Sequence, residues 1–173
     1  MEVAVFVVDG GADFGYAALI ATFDVANGLR AELQTPLPPW EVRTVALGER
    51  VRSGNGHILV TTPLAEVGDG FDSMIIPAVT VLNADPLVEL VSSTHSRPVL
   101  DRIGRAHASG AHLAAACTGT SFLAEAGVLD GSPATTSWWL GPSFRRRYPR
   151  VAPDENSTLC RGPPARPGDN HAR

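Results

Sequence analysis

The sequence predicts an α/β protein with a mostly parallel, doubly wound sheet. Short apolar runs alternate with segments of helical periodicity, and the first of these runs is apolar on both faces. The chain has 173 residues, which suits one domain with its own core and is too short for two. These observations favour a sheet that is covered by helices on each side.

The first half of the chain is predicted to begin with a strand and a long helix. Residues 3–8 form a continuous β-branched and apolar run that ends at Asp9-Gly10-Gly11. Helical spacing follows over residues 13–30, where these apolar side chains recur at three and four residues: Phe14, Ala17, Ala18, Ala21, Val25 and Leu29. Residues 40–47 alternate like a strand, and a Ser-Gly-Asn-Gly turn within residues 50–61 predicts a hairpin.

The second half continues the alternation of strands and helices. A buried strand over residues 71–77 is followed by helical segments near residues 86–92 and 99–109. The further predicted elements are, in order, a strand at 112–116, a helix at 121–126, a short strand at 134–139 and a helix at 141–147. This order is typical of strands joined by helical crossovers.

Composition argues against several classes of protein. The formal net charge of -4 does not indicate broad electrostatic binding to nucleic acid. The first residues lack a basic region, and no stretch approaches the roughly 18 apolar residues of a membrane span. We therefore expect no targeting peptide, no membrane contact and a cytoplasmic location. Cys117 and Cys160 give neither a disulfide framework nor metal-ligand spacing, so no metal and no cofactor are expected.

The most informative motif joins an apolar strand to a helix through Ala116-Cys117-Thr118-Gly119. A nucleophile elbow has this order, because a sharp turn lifts the reactive side chain above the sheet and small neighbours avoid a clash. Unpaired N–H groups at the start of the next helix would favour a Cys117 thiolate and could hold an oxyanion. A buried structural cysteine, with Gly119 serving the turn, is the alternative that spacing alone leaves open.

The wider stretch from residue 115 to residue 151 resembles the ThiJ/PfpI branch of the class I glutamine amidotransferase-like superfamily. The matching segments are, in order, Cys117-Thr118-Gly119, Leu123-Ala124-Glu125-Ala126-Gly127, Leu129-Asp130-Gly131, Ala134-Thr135-Thr136, Trp138, and Phe144 to Pro149. Within that branch the chain is most similar to the N-terminal domain of AraC-family transcriptional regulators of the GlxA type. The resemblance implies a flavodoxin-like three-layer α/β/α sandwich over residues 1–159, with a cysteine nucleophile elbow.

Several positions depart from the catalytic patterns of that superfamily. Hydrolytic members have a His directly after the Cys, where this chain has Thr118, and many members of the branch have a His where it has Ser137. Enzymes resembling isonitrile hydratase use an acidic residue after the first strand. Asp13 lies in that region, two residues before the aligned position at Gly15, although a helix cap is the interpretation we favour for it. His57, beside the hairpin turn, is interpreted as a surface residue.

These departures favour a sensory or oligomerisation domain of an AraC-type regulator over an enzyme, since a nucleophile without a base is poorly equipped for hydrolysis. We expect a small-molecule ligand at Asp13, Cys117, Thr118 and Gly119, because ligands bind at the carboxyl ends of parallel strands. A second copy of the chain is the other expected partner. One alternative is an isonitrile hydratase or amidase type of enzyme, with Cys117 as nucleophile and Asp13 as acid or base. A second alternative is a thiol redox sensor.

The last segment, residues 160–173, differs in composition from the rest of the chain. It has three Pro, three Arg and no large apolar residue, and all 14 basic residues of the chain are Arg, which is typical of GC-rich coding sequence. Regulators of the GlxA type continue with a strand, a long helix and two helix-turn-helix units. We therefore expect a C-terminally truncated domain with a disordered or frameshifted tail, which alone does not bind DNA.

Overall fold

The strands and helices of the chain enclose one parallel sheet. In chain order they are β1 (Glu2–Phe6), α1 (Asp13–Gly28), β2 (Glu41–Ala46), β3 (Arg50–Arg52), β4 (Ile58–Val60), β5 (Thr62–Pro63), β6 (Ser73–Ile76), α2 (Ala84–Ser92), α3 (Arg97–Ala108), β7 (His112–Ala115), α4 (Thr120–Glu125), β8 (Pro133–Ala134), α5 (Gly141–Arg147) and β9 (Ala152–Pro153). The computed structural model describes residues 1–162, so the predicted tail lies outside the described residues from residue 163 onward.

The sheet has five strands in the order β5-β2-β1-β6-β7, and every pair of neighbours is parallel. Strands β3 and β4 form a separate antiparallel hairpin, as the turn signal predicts. Helices cover both faces of the sheet, so the predicted fold class is confirmed. Within the described residues, no helix is long and apolar enough to cross a membrane.

The prediction of a strand over residues 134–139 is wrong for most of that range. Only Pro133–Ala134 pairs, with Ala152–Pro153, and the tryptophans begin a 3₁₀ turn, Trp138–Leu140. The intervening residues bond to the cysteine motif instead of to a strand: the Thr136 hydroxyl donates to the carbonyl of Cys117 over 3.2 Å. Side chains of these residues are thereby brought to the sheet edge.

The two faces of the sheet are packed to different degrees. Successive side chains of β1 point to opposite faces, so Ala4 and Phe6 contact one helical layer while Val3 and Val5 contact the other. The layer against Ala4 and Phe6 contains α2, α3 and α4. Its fully buried members include Val91, Val99, Ile103 and Phe122, each 0% exposed. Burial of such apolar area is the main favourable contribution to folding.

The other face is covered by α1, none of whose residues is buried. Its side chains toward the sheet are Tyr16, Leu19, Ile20 and Phe23. The apolar series that reveals the helix in the sequence faces water instead: Phe14 is 86% exposed and Val25 is 60% exposed. Because α1 is apolar on two sides, periodicity locates the helix without indicating which side contacts the sheet.

The order of the strands places a crevice at the carboxyl ends of β1 and β6. The chain runs from β1 to β2 on one side and later returns to β6 on the other side, which makes this the topological switch point. The loops after these strands are hydrogen-bonded together, since Ala12 N donates to Ala78 O over 2.8 Å and Thr80 N donates to Gly10 O over 2.8 Å. The elbow follows β7, the next strand along this edge.

Candidate functional site

Cys117 has an unusual backbone conformation at the end of β7. It begins the 3₁₀ turn Cys117–Gly119, and its φ of 54° is the single positive value at a non-glycine residue in the described part of the chain. The left-handed region costs an L-residue about 1–2 kcal/mol, so surrounding contacts must hold it. This is the sharp strand-to-helix turn that a nucleophile elbow requires.

Two neighbours fix the elbow to the end of β6. Thr118 is 0% exposed, and its hydroxyl accepts a hydrogen bond from Val79 N over 2.8 Å and donates one to Val79 O over 2.9 Å. A Cβ at Gly119 would lie 2.6 Å from the carbonyl oxygens of Ile76 and Pro77. Thr118 therefore serves as a backbone clamp, and position 119 requires glycine.

The Cys117 side chain is exposed and has one hydroxyl beside it. Its Sγ lies 2.7 Å from Ser137 Oγ, in a contact where either atom could be the donor. Among residues 1–162, no histidine or carboxylate forms a hydrogen bond with the Cys117 thiol. The hydroxyl of Ser137 is thus the side-chain group that lies beside the thiol.

Asp13 does not cap the first helix, so that prediction is wrong. It is the first residue of α1, while the cap position is Ala12, which makes no side-chain cap bond. A capping side chain must belong to the non-helical residue before the helix. The Asp13 carboxylate instead contacts the β3–β4 hairpin, where it accepts from Asn55 N over 3.3 Å and lies 2.6 Å from His57 Nδ1.

The hairpin contact keeps Asp13 ionised. A hydrogen bond from the Ser53 hydroxyl and another from the His57 ring lower the pKa of Asp13 to about 2, outweighing the opposing effect of burial. His57 is on the surface as predicted, with 72% of its side chain exposed, but its pairing with Asp13 was missed. The two residues are 44 positions apart, and no sequence spacing links them. The pairing depends on how the hairpin is bonded to the loop after β1, where Gly10 N donates to Arg52 O and Gly54 N donates to Gly11 O, and no local pattern in the sequence indicates it.

The structure brings Asp13 together with His57, and Cys117 together with Ser137. Asp13 borders a hollow of about 10 Å³, which has room for one water at most. Ser53 and Tyr16 also line this hollow, whereas Cys117 does not. A ligand pocket shared by Asp13 and the elbow stays a prediction.

Two of the three arginines of helix α5 are paired with carboxylates. Arg147 binds both carboxylate oxygens of Glu125, at 3.1 and 2.8 Å, and Glu125 and burial together raise the pKa of Tyr148. Arg145 pairs with Glu155 in the same region. Residues 1–162 contain no group of three or more side chains suited to a metal ion. Arg145 and Arg147 are therefore paired with carboxylates, whereas Arg146 donates a hydrogen bond to Ser143 Oγ.

Comparison of the sequence with known proteins finds a distant relative. No protein-family model matches the sequence. An uncharacterised Streptomyces lividans protein, encoded in the region 5′ of cpoL, is 26% identical over 148 residues, which cover 86% of this chain and 95% of that protein.

Solved structures with the same fold include regulators and ThiJ/PfpI proteins. A candidate transcriptional regulator from Vibrio parahaemolyticus is 18% identical with a TM-score of 0.77, covering 96% of this chain and 84% of its own. An AraC family transcriptional regulator from Pseudomonas putida is 24% identical with a TM-score of 0.66 and the same two coverages, 96% and 84%. A ThiJ/PfpI family protein from Pseudomonas syringae is 18% identical with a TM-score of 0.71, covering 92% of this chain and 58% of its own. The resemblance seen in the sequence is confirmed at the level of structure, and this chain has the fold of the ThiJ/PfpI proteins.

Proposed function

We propose that residues 1–159 are a ThiJ/PfpI-type domain that senses a small molecule through the site at Cys117, as part of an AraC-type transcriptional regulator. The surroundings of the thiol carry this proposal. Cys117 has a strained, accessible elbow, yet within the described residues its side-chain hydrogen bond goes to Ser137 alone. A thiol without a neighbouring base lacks the proton transfer that hydrolysis needs.

The state of Asp13 supports the same conclusion. A general acid must hold a proton at the working pH, and a carboxyl group with a pKa of about 2 has lost it at neutrality. The carboxylate is also occupied by His57 and by the backbone of Asn55. Similarity of fold to the regulators from Vibrio parahaemolyticus and Pseudomonas putida adds support for the regulatory role.

An activity assay tests sensing against catalysis. The purified chain, Cys117→Ser and Asp13→Ala would be incubated with small nitriles, isonitriles and amides, and product would be followed by chromatography. We expect no turnover that depends on Cys117. Turnover by the wild type that Cys117→Ser abolishes would contradict the proposal and favour the isonitrile hydratase or amidase type of enzyme.

We also propose that the chain alone does not bind DNA. Two of the three arginines of α5 that would offer a basic surface are paired with carboxylates, Arg145 with Glu155 and Arg147 with Glu125, which leaves Arg146 with a hydrogen bond to Ser143. Binding to nucleic acid depends on free cationic groups that displace counterions. A band shift at physiological salt with purified chain would overturn this expectation.

A second copy of the chain is the proposed protein partner. The outer side of α1 supports this proposal, since Phe14 is 86% exposed and Val25 is 60% exposed on one helix. Apolar side chains clustered in this way often mark an interface. Sedimentation would show a dimer for the wild type and a smaller dimer fraction for Phe14→Ser. A monomer at all concentrations would contradict it.

Thiol redox sensing is the second candidate function. The exposure of Cys117 favours it, because oxidation to sulfenic acid requires an accessible thiolate. Burial and Asp154 raise the pKa of Cys160, which makes that cysteine a matched slow control. Peroxide should consume the Cys117 thiol first if this function is correct, and equal rates at the two cysteines would exclude it.

A further inference from the structure

Two exposed tryptophans and a leucine form an apolar surface that the fold does not use. Trp138 is 79% exposed, Trp139 is 43% exposed and Leu82 is 61% exposed. We call these three residues the aromatic shelf. Contiguous apolar groups exposed to water on a folded domain are typical of binding sites.

The shelf is held in a defined geometry. The indole Nε1 of Trp139 donates a hydrogen bond to the carbonyl of Leu82 over 2.9 Å. The ring of Trp138 meets the ring of Trp139 edge to face, with centroids 5.8 Å apart and planes at 84°. Both tryptophans belong to the 3₁₀ turn Trp138–Leu140. A flat ligand would therefore meet a surface that is already ordered, which lowers the entropic cost of binding.

The chain segment that carries the tryptophans is tied to the cysteine turn. Ser137, whose Oγ lies 2.7 Å from Cys117 Sγ, directly precedes Trp138 in the chain. Consecutive Cα atoms are about 3.8 Å apart, so the first tryptophan starts one residue step from the group that touches the sulfur. The Thr136 hydroxyl ties the same segment to the Cys117 carbonyl. The segment that carries Trp138 is therefore bonded to the cysteine turn at two points.

Size and charge indicate what the shelf accommodates. At 150–250 Å² for a whole aromatic side chain, the three exposed side chains offer on the order of 400 Å². A stable protein interface needs about 800 Å² from each partner, so a small molecule suits the shelf better than a protein. The hydrogen bonds of Cys117, Ser137 and Thr136 within the described residues all join neutral groups. An anionic ligand would find no cationic partner among these bonds.

We propose that the Cys117 site takes a neutral molecule with a flat apolar group, which stacks on the exposed ring of Trp138 while its polar end meets the exposed thiol of Cys117. This inference rests on the proposed function of Cys117 as the accessible thiol of a ligand site. It specifies the class of ligand, and Trp138 becomes its specificity-determining residue.

The test compares three alkylating probes at the two cysteines of the full chain. N-phenyl iodoacetamide carries a neutral ring, iodoacetamide is neutral and small, and iodoacetate is anionic. In each reaction the thiolate sulfur forms a bond to carbon, the C–I bond breaks with its electron pair on iodide, and the thiol proton goes to solvent. Mass spectrometry of the peptides that contain Cys117 and Cys160 gives the two rates separately.

We expect the phenyl probe to react with Cys117 about five to ten times faster than iodoacetamide, after division by the same ratio at Cys160. Trp138→Ala should bring this normalised preference close to one. Because Trp138 is 79% exposed, removing its ring leaves the core intact. Trp40→Phe is the matched control, since Trp40 packs against Phe23 on the other face of the sheet and should keep the preference.

The outcomes separate the two proposals. A normalised preference near one in the wild type, or an unchanged preference in Trp138→Ala, overturns the aromatic shelf while Cys117 stays the accessible thiol. Faster reaction with iodoacetate than with both neutral probes overturns the neutral ligand class. If no probe modifies Cys117 faster than Cys160, the proposed function fails. Binding of acetanilide, which does not react with thiols, then tests the aromatic shelf independently. Binding is followed by tryptophan fluorescence in the wild type and in Trp138→Ala. A fluorescence change that the variant loses supports the shelf, and no change in the wild type rejects it.

Discussion

Cys117 and Asp13 follow neighbouring parts of the same sheet edge, and their surroundings differ in kind. At Cys117 the backbone is strained and clamped by the buried Thr118, while the side chain is exposed with one hydroxyl beside it. At Asp13 the backbone is ordinary helix, while the carboxylate is bound by Asn55 and His57.

The two sites differ in which group the contacts hold: at Cys117 they hold the backbone of the turn, and at Asp13 they hold the side chain. Strain at Cys117 is maintained by contacts with the ends of β6, and none of these contacts transfers a proton. The Asp13 carboxylate contacts the β3–β4 hairpin. This contrast supports the proposal that Cys117 takes part in ligand recognition rather than turnover.

Substitution of Gly119 should destabilise the protein more than any other change in this comparison. Gly119→Ala places a Cβ 2.6 Å from two carbonyl oxygens, so backbone must move. We expect the free energy of unfolding to fall by about 3 kcal/mol in urea titrations. Gly104→Ala is the control, since a Cβ there meets nothing within 4 Å on helix α3 and should stabilise slightly. Similar effects of the two changes would contradict the clamp.

Removing the clamp hydroxyl should have the next largest effect. Thr118→Val keeps the shape of the side chain but leaves Val79 N and Val79 O without their partner in a buried place. The expected loss is about 2 kcal/mol of unfolding free energy by the same measurement. Thr22→Val, on the exposed side of α1, should change it by less than about 0.5 kcal/mol. A loss at Thr118 no larger than that at Thr22 would show that the bonds are dispensable.

Relief of the backbone strain at Cys117 should raise the free energy of unfolding, by less than the two preceding changes lower it. Cys117→Gly and Cys117→Ala both remove the exposed thiol, but only glycine adopts a φ of 54° without cost. The glycine variant should be more stable than the alanine variant by about 1 kcal/mol, as measured by thermal or urea unfolding. Greater stability of the alanine variant would mean that the turn is not strained.

The smallest expected effect is the pH dependence of the Asp13 contact. The pKa of this carboxyl is lowered from 3.8 to about 2, so its stabilising contribution is complete above pH 4 and is lost as the pH falls toward 2. Asp13→Asn should lack this part of the acid destabilisation, whereas Asp24→Asn, an exposed change on the same helix, should retain it. Unfolding measured at pH 5 and at pH 2.5 makes the comparison, and identical behaviour of the two variants would contradict it.

Much of the fold follows from local patterns in the sequence. Apolar runs identify the parallel strands, and Gly119 after Cys117 indicates the tight turn at the end of β7, because both depend on neighbouring residues. The sequence predicts a strand over residues 134–139 because β-branched threonines fit a strand locally, whereas in the structure the Thr136 hydroxyl donates to Cys117 O and the Thr135 carbonyl accepts from the Thr120 hydroxyl.

The pairs at the site are less accessible to sequence reasoning. The Asp13–His57 contact joins residues that are 44 positions apart through the fold of the hairpin, and the Cys117–Ser137 contact spans 20 positions. The exposed side of α1 shows the same limit, because Phe14 and Val25 have helical spacing whichever side meets the sheet. Tertiary packing, which no local period specifies, decides all three.

The most direct test of a thiol without a proton relay is the rate of Cys117 alkylation by iodoacetamide as a function of pH. Measured in a Cys160→Ser background, the curve for Asp13→Asn should superimpose on that of the parent, because Asp13 is bonded to His57 and to the hairpin. Ser137→Ala should slow the reaction, since Ser137 is the hydroxyl beside the sulfur. A displaced curve in Asp13→Asn, with no change in Ser137→Ala, would show that Asp13 acts on the thiol and would contradict the account.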